Sequence, residues 1–283
     1  MKVLLTGATG FIGRHCYKRL LDDGHQVTGV SLSDANFFGQ KINGLNLSDF
    51  QKVKSFFKNR EFDCIVHLAA QVPKNFQEEE IAEVFLKNFS VTAFLLKQFT
   101  KSKAKTFIHA SSITASVPDN LYSLGKKLEE DLGQFYAQKS KKKIISLRIS
   151  APYGPGQNIE TVVPLFIKKA LKNQSLTVFG RGNRSQDFIY VKNITEAILG
   201  AITAKKSDVY SVGSGQSVST LDLAKLIIEK TNSKSKIIFK GKDLQENYSN
   251  KVDISLTKKD LKFLPISIEK GLEEYIPFLR GQL

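Results

Sequence analysis

The sequence has few of the residues that mark several specialised classes of protein. Its 283 residues include no tryptophan, one methionine and only two cysteines, Cys16 and Cys64. Two cysteines are too few for a disulfide framework, and no stretch approaches the roughly 18 consecutive apolar residues of a membrane-spanning helix. The four histidines lack the spacing of metal ligands. We therefore expect a cytoplasmic globular protein without a metal site or a membrane partner, whose cysteines serve packing.

Acidic residues are also scarce. The chain has 27 aspartate and glutamate residues against 42 lysine and arginine residues, so its formal net charge is +15 at pH 7. Such an excess favours an anionic partner, which could be a nucleic acid, a membrane surface or a small molecule. Two lysine clusters, at 101–105 and 139–143, each precede a predicted strand, and we interpret them as solvated side chains that favour solubility. An anionic small molecule is therefore the preferred partner, and nucleic acid is the lesser alternative.

Short apolar runs alternate with helical patterns through the first half of the chain. Strands are predicted at 2–6, 26–30, 64–68, 106–110 and 143–149, with a further strand ending at 45–47, and long helices at 81–99 and 122–138. Because the first run begins at the second residue, no signal peptide is predicted. The alternation predicts an α/β fold with a doubly wound parallel sheet of Rossmann type. Proline and glycine cluster at 151–156, which predicts a larger domain at 1–157 and a smaller C-terminal lobe at 158–283, some of whose segments return to the sheet.

Three glycines, Gly7, Gly10 and Gly13, stand between the first predicted strand and the first predicted helix. A tight glycine turn at this place lets backbone N–H groups approach a pyrophosphate at the positive end of the helix. The third glycine lets the helix pack closely on the strand. The position of this triplet in an alternating chain predicts a dinucleotide site rather than a turn without a ligand.

The end of the second predicted strand is where such folds distinguish NAD from NADP. An acidic side chain there binds the ribose 2′-hydroxyl of NAD, whereas a basic one accommodates the 2′-phosphate of NADP. In this chain Ser31 follows the strand, Asp34 comes later, and Arg14 stands just after the glycine turn. The pattern favours NADP over NAD, and the competing interpretation of Arg14 is a solvated helix residue.

A tyrosine and a lysine form a candidate catalytic pair. Tyr122 and Lys126 are four residues apart on a predicted helix, so they share one face. A cation beside a phenol stabilises the phenolate, and we expect Lys126 to lower the pKa of Tyr122 from its usual value of about 10. The strand predicted upstream ends in Ser111 and Ser112, at the sheet edge where α/β proteins place ligands. The competing interpretation is an exposed helix that follows two serines without a catalytic role.

The chain resembles the extended short-chain dehydrogenase/reductase superfamily, in particular the NAD-dependent epimerase/dehydratase family. The resemblance is carried by the G-x-x-G-x-x-G turn, by the Tyr-x-x-x-Lys pair, and by the segments 67–71, 148–156 and 187–191. It implies that Ser112, or alternatively Ser111, binds the reacting oxygen while Tyr122 transfers a proton and Lys126 holds the nicotinamide ribose. It also implies a homodimer formed through the two long helices. The cofactor-binding residues that it implies are Gly7, Gly10, Phe11, Ile12, Gly13, Arg14, Ser31, Asn46, Leu47, Leu68, Ala69, Ala70, Asn88, Tyr122, Lys126 and Ile149.

The same resemblance implies a nucleotide-activated sugar as the substrate, bound by Gln71, Ser112, Ala151, Arg184 and Gln186. Gln186 stands where the family has an arginine for the substrate pyrophosphate, and Ala151 stands where it has an asparagine. Arg184 lies two residues earlier, on the same side of an extended segment, and could substitute for the missing arginine.

These observations predict an NAD(P)-dependent oxidoreductase that acts on a nucleotide-activated sugar, with a 4-keto sugar reductase preferred and Tyr122 as its general acid. A nucleotide-sugar 4-epimerase comes next. A 4,6-dehydratase is disfavoured because Ile113 and Thr114 replace the acidic pair of those enzymes. The neutral Gln186 and Ala151 also allow a reductase of a small aldehyde or ketone. A non-catalytic NAD(P)-binding or RNA-binding protein of the same fold is disfavoured because the Tyr-x-x-x-Lys pair is retained.

Overall fold

Strands and helices alternate through the first half of the chain in the computed structural model, which describes residues 1–73, 77–243, 245 and 247–282. The strands are β1 (Lys2–Thr6), β2 (Gln26–Ser31), β3 (Ala35–Phe37), β4 (Gln40–Gly44), β5 (Cys64–His67), β6 (Thr106–Ser112), β7 (Lys143–Ile149), β8 (Ala151–Tyr153), β9 (Leu176–Phe179), β10 (Ser185–Gln186), β11 (Phe188–Tyr190), β12 (Asp208–Val212), β13 (Val218–Ser219) and β14 (Ile237–Lys240). The α-helices are α1 (Phe11–Asp22), α2 (Phe50–Lys58), α3 (Glu78–Lys101), α4 (Leu121–Ser140), α5 (Val162–Leu171), α6 (Val191–Thr203), α7 (Thr220–Thr231), α8 (Ser255–Leu261) and α9 (Ile268–Arg280). A short 3-10 helix, Ile113–Ser116, follows β6. Within the described ranges, none of the helices is both long enough and apolar enough to span a bilayer.

A mostly parallel sheet organises this part of the chain. Its eight described strands lie in the order β12-β7-β6-β5-β1-β2-β4-β3. From β4 through β2, β1, β5 and β6 to β7 the pairing is parallel, and β3 returns antiparallel to β4. The chain therefore builds outward from β1 to one edge and then from β5 towards the other, which confirms the predicted doubly wound α/β fold. Such folds bind ligands at the carboxyl ends of the strands beside this reversal point.

Apolar side chains fill the central strands. Leu4, Ile65 and Phe107, from three different strands of the sheet, are each 1% exposed or less. They belong to one cluster with Leu96 and Phe99 of α3, and the rings of Phe99 and Phe107 lie 5.5 Å apart. A strand that is buried on both faces reads as a continuous apolar run, which is why these strands were visible in the sequence pattern.

Both cysteines are buried in this region. Cys16 on α1 and Cys64 on β5 are each 1% exposed or less, and neither forms a disulfide. Burial raises the pKa of both thiols, that of Cys64 to about 12. They therefore remain protonated and act as small packing groups.

Two helices near the candidate site begin at clear capping residues. Asp49 caps α2 by accepting from the backbone N–H of Lys52. Helix α4 begins with a capping box in which the Asn120 side chain accepts from Ser123 N at 3.0 Å, and Ser123 Oγ accepts from Asn120 N at 3.1 Å. This box fixes the start of α4 and so places Tyr122 in its first turn.

Two lysines of the second predicted cluster bind backbone carbonyls. Lys142 Nζ donates to the carbonyls of Phe99 and Ser102, at 3.0 and 2.6 Å, where α3 ends. Lys143 Nζ donates to the carbonyl of Ala204 at 2.7 Å, just after α6. The interpretation of these two lysines as solvated is wrong, because the carbonyls that a helix leaves unpaired at its C-terminus attract cations.

The hairpin of β3 and β4 is absent from the sequence-based prediction. Its turn residues, Phe38 and Gly39, have φ angles of +50° and +72°, as in a tight hairpin turn. Strand β4 ends at Gly44, so the predicted strand end at 45–47 is wrong. The strand is polar, with Ile42 as its buried residue, and a polar edge strand carries little pattern.

The chain divides into two compact units. The first comprises Met1–Ile149, Thr195–Ser211 and Leu256–Phe263, and the second comprises Ser150–Ile194, Val212–Ser255 and Leu264–Leu283. These bounds differ from the predicted 1–157 and 158–283 because β8 pairs with β11 inside the second unit. There too β9 pairs in parallel with β14, and β10 pairs antiparallel with β13.

Candidate active site

The glycine turn after β1 is closed by contacts that exclude a side chain. Gly7 has a φ of +70°, and a β-carbon on it would lie 2.7 Å from the backbone nitrogen of Ala69. A β-carbon on Gly13 would lie 1.9 Å from the carbonyl oxygen of Gly7. The turn therefore presses against the segment after β5, and α1 sits directly on the turn. The backbone N–H of Gly10 donates to the carbonyl of Gly7 at 2.9 Å within the turn, so the N–H groups open to a ligand phosphate are those that the first turn of α1 leaves unpaired.

A cleft of about 530 Å³ opens beside this turn in the first unit. Nine predicted site residues line it, namely Gly7, Gly10, Ser31, Asn46, Leu47, Ala69, Ala70, Gln71 and Asn88. Seven residues that were not predicted complete the lining, namely Thr9, Val30, Leu32, Leu45, Ser48, Lys87 and Val91. Six of these seven adjoin a predicted residue in the sequence, and that adjacency is the signal that could have found them. The mixture of apolar wall, backbone N–H groups and a few amides fits a dinucleotide.

The remaining predicted cofactor residues do not line this cleft, and they are Phe11, Ile12, Gly13, Arg14, Leu68, Tyr122, Lys126 and Ile149. Arg14 extends over the hairpin. Its Nη2 donates to the carbonyl of Thr9 at 3.1 Å, and its guanidinium carbon lies 5.8 Å from the ring centre of Phe37. The Arg14 Nε is buried and has no hydrogen-bond partner in the described part of the chain. Arg14 is thus a held side chain with an unused donor rather than a solvated one.

The end of β2 lacks the acidic residue that grips an NAD ribose. The Ser31 hydroxyl donates to the carbonyl of Ser33 at 2.6 Å. Asp34 does not line the cleft, and its Oδ1 accepts from Gly44 N at 2.7 Å across the base of the hairpin. Among the described residues that line the cleft there is no aspartate or glutamate, whereas Lys87 is there. The electrostatics of the cleft therefore favour an anion.

Asn88 on α3 fixes the segment after β5. Its Oδ1 accepts from the backbone N–H of Gln71 at 2.9 Å, and its Nδ2 donates to the backbone carbonyl of Gln71 at 2.8 Å. The side chain thereby satisfies both backbone groups of a residue on the cleft wall. Asn88 lines the cleft and also holds it open in a defined shape.

The Tyr122–Lys126 pair lies at the start of α4. Lys126 is buried, and its Nζ donates to the carbonyl of Ala110 on β6 at 3.3 Å and to Oε2 of Glu129 at 3.0 Å. Burial raises the pKa of the Tyr122 phenol above its usual value near 10, Lys126 opposes this rise, and Glu129 adds to it. Lys126 thus lowers the pKa of Tyr122 as expected, but burial and the nearby carboxylate outweigh it, and the net shift is upward. Tyr122 is therefore protonated at neutral pH.

The two serines at the end of β6 differ in their partners. Ser111 is buried, and its hydroxyl donates to Oε1 of Glu130 at 2.6 Å, the carboxylate that also binds Arg148 at 2.7 Å. Ser112 is half-buried, and its Oγ lies 2.9 Å from the hydroxyl of Thr114, where it caps the 3-10 helix. Because the Ser111 hydroxyl already donates to the carboxylate of the Glu130–Arg148 ion pair, Ser112 is the better placed of the two serines to contact a ligand. Within the described ranges, no group of three or more His, Cys, Asp or Glu side chains is placed to hold a metal ion.

The second unit has its own pocket, of about 500 Å³. Three of the predicted substrate residues, Ala151, Arg184 and Gln186, line it together. The guanidinium carbon of Arg184 lies 6.0 Å from the ring centre of Tyr248, and its Nε is buried without a hydrogen-bond partner in the described chain. A buried guanidinium donor that lacks a partner is suited to an anionic ligand group. The other two predicted substrate residues belong to the first unit, Gln71 on the cleft wall and Ser112 at the end of β6.

Known proteins match the chain along nearly its whole length. The dTDP-D-glucose 4,6-dehydratase of Bos taurus is 26% identical over 315 residues, covering 99% of this chain and 86% of that protein. The dTDP-4-dehydro-6-deoxyglucose reductase of Escherichia coli is 24% identical over 307 residues, covering 98% and 97%. The structure of the UDP-glucose 4-epimerase of Thermotoga maritima with UDP-glucose has a TM-score of 0.90 at 24% identity, covers 100% of this chain and 99% of that one, and shows the fold alone. Residues 3–213 match the model of the NAD-dependent epimerase/dehydratase family, and the protein is therefore an enzyme that belongs to this family.

Proposed function

We propose that the protein is an NAD(P)-dependent oxidoreductase that reduces a keto group of a nucleotide-activated sugar, with a 4-keto sugar as the preferred substrate. The placement of Tyr122 in the first turn of α4, four residues before the buried Lys126, is the observation that carries this proposal. Reduction of a ketone requires an acid at the carbonyl oxygen, and a phenol that keeps its proton is suited to that step.

The cleft of the first unit would hold the dinucleotide. The turn through Gly7 and Gly10 would bring the first backbone N–H groups of α1 to the pyrophosphate, and Asn46 and Leu47 would flank the adenine. When bound, the nicotinamide supplies or accepts the hydride. The narrow glycine turn and the two hydrogen bonds of Asn88 to the Gln71 backbone keep the cleft in a fixed shape. Binding therefore costs less conformational entropy.

The residues around α4 have separate roles in this proposal. Tyr122 donates its hydroxyl proton to the sugar oxygen. Ser112 donates a hydrogen bond to the same oxygen and so orients it. Lys126, held by hydrogen bonds to β6 and α4, binds the nicotinamide ribose and lowers the pKa of Tyr122.

NADP is the preferred form of the cofactor in this proposal. The end of β2 carries Ser31 where an acid would repel a 2′-phosphate, and Asp34 is engaged in the hairpin. Arg14, with its unused Nε, is the side chain that would meet the phosphate.

The pocket of the second unit would hold the nucleoside diphosphate of the substrate. Gln186 stands where the family has an arginine for the substrate pyrophosphate, and Arg184 would replace that arginine. Its Nε, which has no partner in the described chain, would bind a phosphate oxygen. The dehydratase and the reductase that resemble this chain carry dTDP-sugar names, which supports a sugar nucleotide over a small aldehyde or ketone.

A nucleotide-sugar 4-epimerase is the second candidate. The full-length likeness to the fold of an epimerase supports it, and the same Tyr122, Lys126 and Ser112 would serve it. In that reaction Tyr122 must first accept a proton, which its raised pKa opposes.

Turnover with a nucleotide 4-keto sugar and NADPH tests the proposal. The reductase consumes one NADPH for each sugar reduced, whereas an epimerase interconverts two sugar nucleotides without net consumption. Tyr122→Phe is expected to lower turnover by more than about 100-fold while dinucleotide binding is kept. Full turnover in this variant, or sugar interconversion without cofactor consumption, would overturn the reductase.

We also propose a homodimer through α3 and α4. Exposed apolar side chains lie along α4, at Leu124, Leu128 and Phe135, and Leu86 of α3 is exposed as well. The two helices pack on each other. Several exposed apolar side chains on two packed helices are typical of a protein interface, so we expect the mass of a dimer in solution.

A further inference from the structure

A buried carboxylate beside the catalytic pair has no part in the reaction as described so far. Glu129 stands three residues after Lys126 on α4, is 1% exposed, and has its Oε2 3.0 Å from the lysine Nζ. The same Nζ donates to the carbonyl of Ala110 on β6. The desolvation of two charges costs several kcal/mol, and such a pair is often no more stable than two apolar side chains. Stability alone is therefore a weak reason for a buried ion pair at this place.

The histidines near this carboxylate do not neutralise it. His109 Nδ1 on β6 lies 3.9 Å from Oε2 of Glu129, but burial, together with Lys126, lowers the pKa of His109 to about 3. His67 on β5 is also buried, and its pKa is well below the usual value for the same two reasons and because of His109. Both imidazoles are neutral at neutral pH. Lys126 is therefore the cation that balances Glu129.

The remaining neighbours of Glu129 are polar or are paired elsewhere. The hydroxyl of Thr92 on α3 lies 3.2 Å from Nε2 of His67 and helps to lower the pKa of Glu129. The adjacent Glu130 is bound to Arg148 of β7, so its charge is already compensated. The Oε1 of Glu129 is buried and has no hydrogen-bond partner in the described part of the chain. Burial raises the pKa of Glu129 and the ammonium of Lys126 opposes that rise, so the negative charge of the carboxylate depends on Lys126.

We propose that Glu129 is a positioning residue of the reaction, which as the buried counter-ion of Lys126 holds the ammonium against Ala110 and offsets the positive charge that Tyr122 experiences. This inference rests on the proposed function, in which Tyr122 donates a proton. It acts through Lys126 and does not require Glu129 to touch the substrate.

The physical consequence concerns the direction of proton transfer. A bare ammonium beside Tyr122 would favour the phenolate, which is a base. With Glu129 in place its charge opposes that of Lys126 at Tyr122, and burial, the largest influence, raises the pKa of the phenol. Tyr122 then keeps its proton and serves as an acid. The ion pair therefore raises the fraction of the enzyme that carries the proton needed for reduction at a given pH.

The test is the titration of Tyr122 in the Glu129→Gln variant, which keeps the shape of the side chain and removes its charge. The midpoint is expected to fall by about one pH unit, so that about tenfold more phenolate is present at any pH below both midpoints. Protein labelled with ¹³C at the tyrosine Cζ reports this by NMR, and Tyr122→Phe identifies the resonance. The alkaline limb of the kcat profile for reduction is expected to move to lower pH by the same amount.

Glu130→Gln is the matched control, since it removes an adjacent buried carboxylate that is paired with Arg148 instead. It is expected to lower the melting temperature and to leave the Tyr122 midpoint in place. Glu129→Asp keeps the charge but withdraws it by one methylene. It is expected to lower the midpoint by a smaller amount than Glu129→Gln, and it serves as the test by itself if Glu129→Gln does not fold.

An unchanged or higher Tyr122 midpoint in folded Glu129→Gln overturns the inference, as does a loss of activity at all pH values without a shift of the alkaline limb. The proposed function fails separately, on the turnover of Tyr122→Phe. Because the NMR titration needs neither substrate nor turnover, the two failures are distinguishable.

Discussion

Gly13 stands so close to Gly7 that a β-carbon on Gly13 would lie 1.9 Å from the Gly7 carbonyl oxygen. The oxygen is backbone and cannot move aside without opening the turn. Helix α1 can therefore pack this closely on the turn only because residue 13 has no β-carbon.

Gly13→Ala is accordingly expected to lower the free energy of unfolding by about 3 kcal/mol and to weaken dinucleotide binding at least tenfold. Denaturant unfolding and calorimetry with NADP measure the two effects. Gly281→Ala is the control, because Gly281 has a φ of −70° and its nearest atoms lie 3.7 Å from an added β-carbon. Normal NADP binding by Gly13→Ala would contradict the role given to the turn.

Cofactor choice is expected to depend on Arg14 and Ser31. Arg14→Gln removes the cation near the turn and should weaken NADP binding by about tenfold or more, with little effect on NAD. Ser31→Asp introduces a carboxylate at the end of β2 and should favour NAD over NADP. Dissociation constants for both dinucleotides decide the matter. Lys18→Gln, on the same helix but in a surface ion pair with Asp22, is the control. Equal losses for NAD and NADP in Arg14→Gln would argue against a phosphate contact.

Arg184 is expected to carry much of the affinity for a nucleoside diphosphate. Arg184→Gln removes a charge-assisted donor whose Nε has no other partner in the described chain, and should weaken the binding of UDP and dTDP by about tenfold or more. Titration calorimetry with each diphosphate measures this. Lys172→Gln, an exposed cation at the end of α5 in the same unit, should leave the affinity unchanged. If both variants bind equally well, the pocket of the second unit is not a diphosphate site.

Acid is expected to destabilise the first unit through its buried histidines. His109 has a pKa of about 3 in the folded protein and titrates near 6.5 when exposed, so the unfolded chain binds the extra proton between these values. The contribution of His109 to the free energy of unfolding is therefore fully present above about pH 6.5. It falls as the pH is lowered, by up to about 1.4 kcal/mol per pH unit. His67, shifted in the same direction, adds to the slope. Urea unfolding at several pH values between about 4.5 and 6.5 measures how the free energy of unfolding depends on pH. This dependence should be weaker in His109→Asn than in the wild type, and equal dependence in the two proteins would speak against a neutral His109.

Much of the first unit could be predicted because its signals are local. The glycine turn and the apolar runs of β1, β5 and β7 each lie within a few consecutive residues. The lining of the cleft follows from them, since parallel strands bring their carboxyl ends to one edge.

Features that depend on packing between distant segments could not be predicted. Nothing in the local sequence says that Glu129 is enclosed with Lys126, because that depends on how α4 lies against α3 and β6. The net effect on Tyr122 has the same origin, since burial and a carboxylate outweigh the lysine that the spacing reveals. Lys142 reads as a surface charge until the end of α3 is known to lie beside it.

The two buried thiols have a practical consequence. Cys16 and Cys64 belong to elements next to the glycine turn, α1 and β5, and both are protonated and enclosed. A thiol reagent can reach them only when this region opens. The rate at which these thiols are modified therefore reports how often the region around α1 and β5 opens. A bound dinucleotide should lower this rate in proportion to its occupancy.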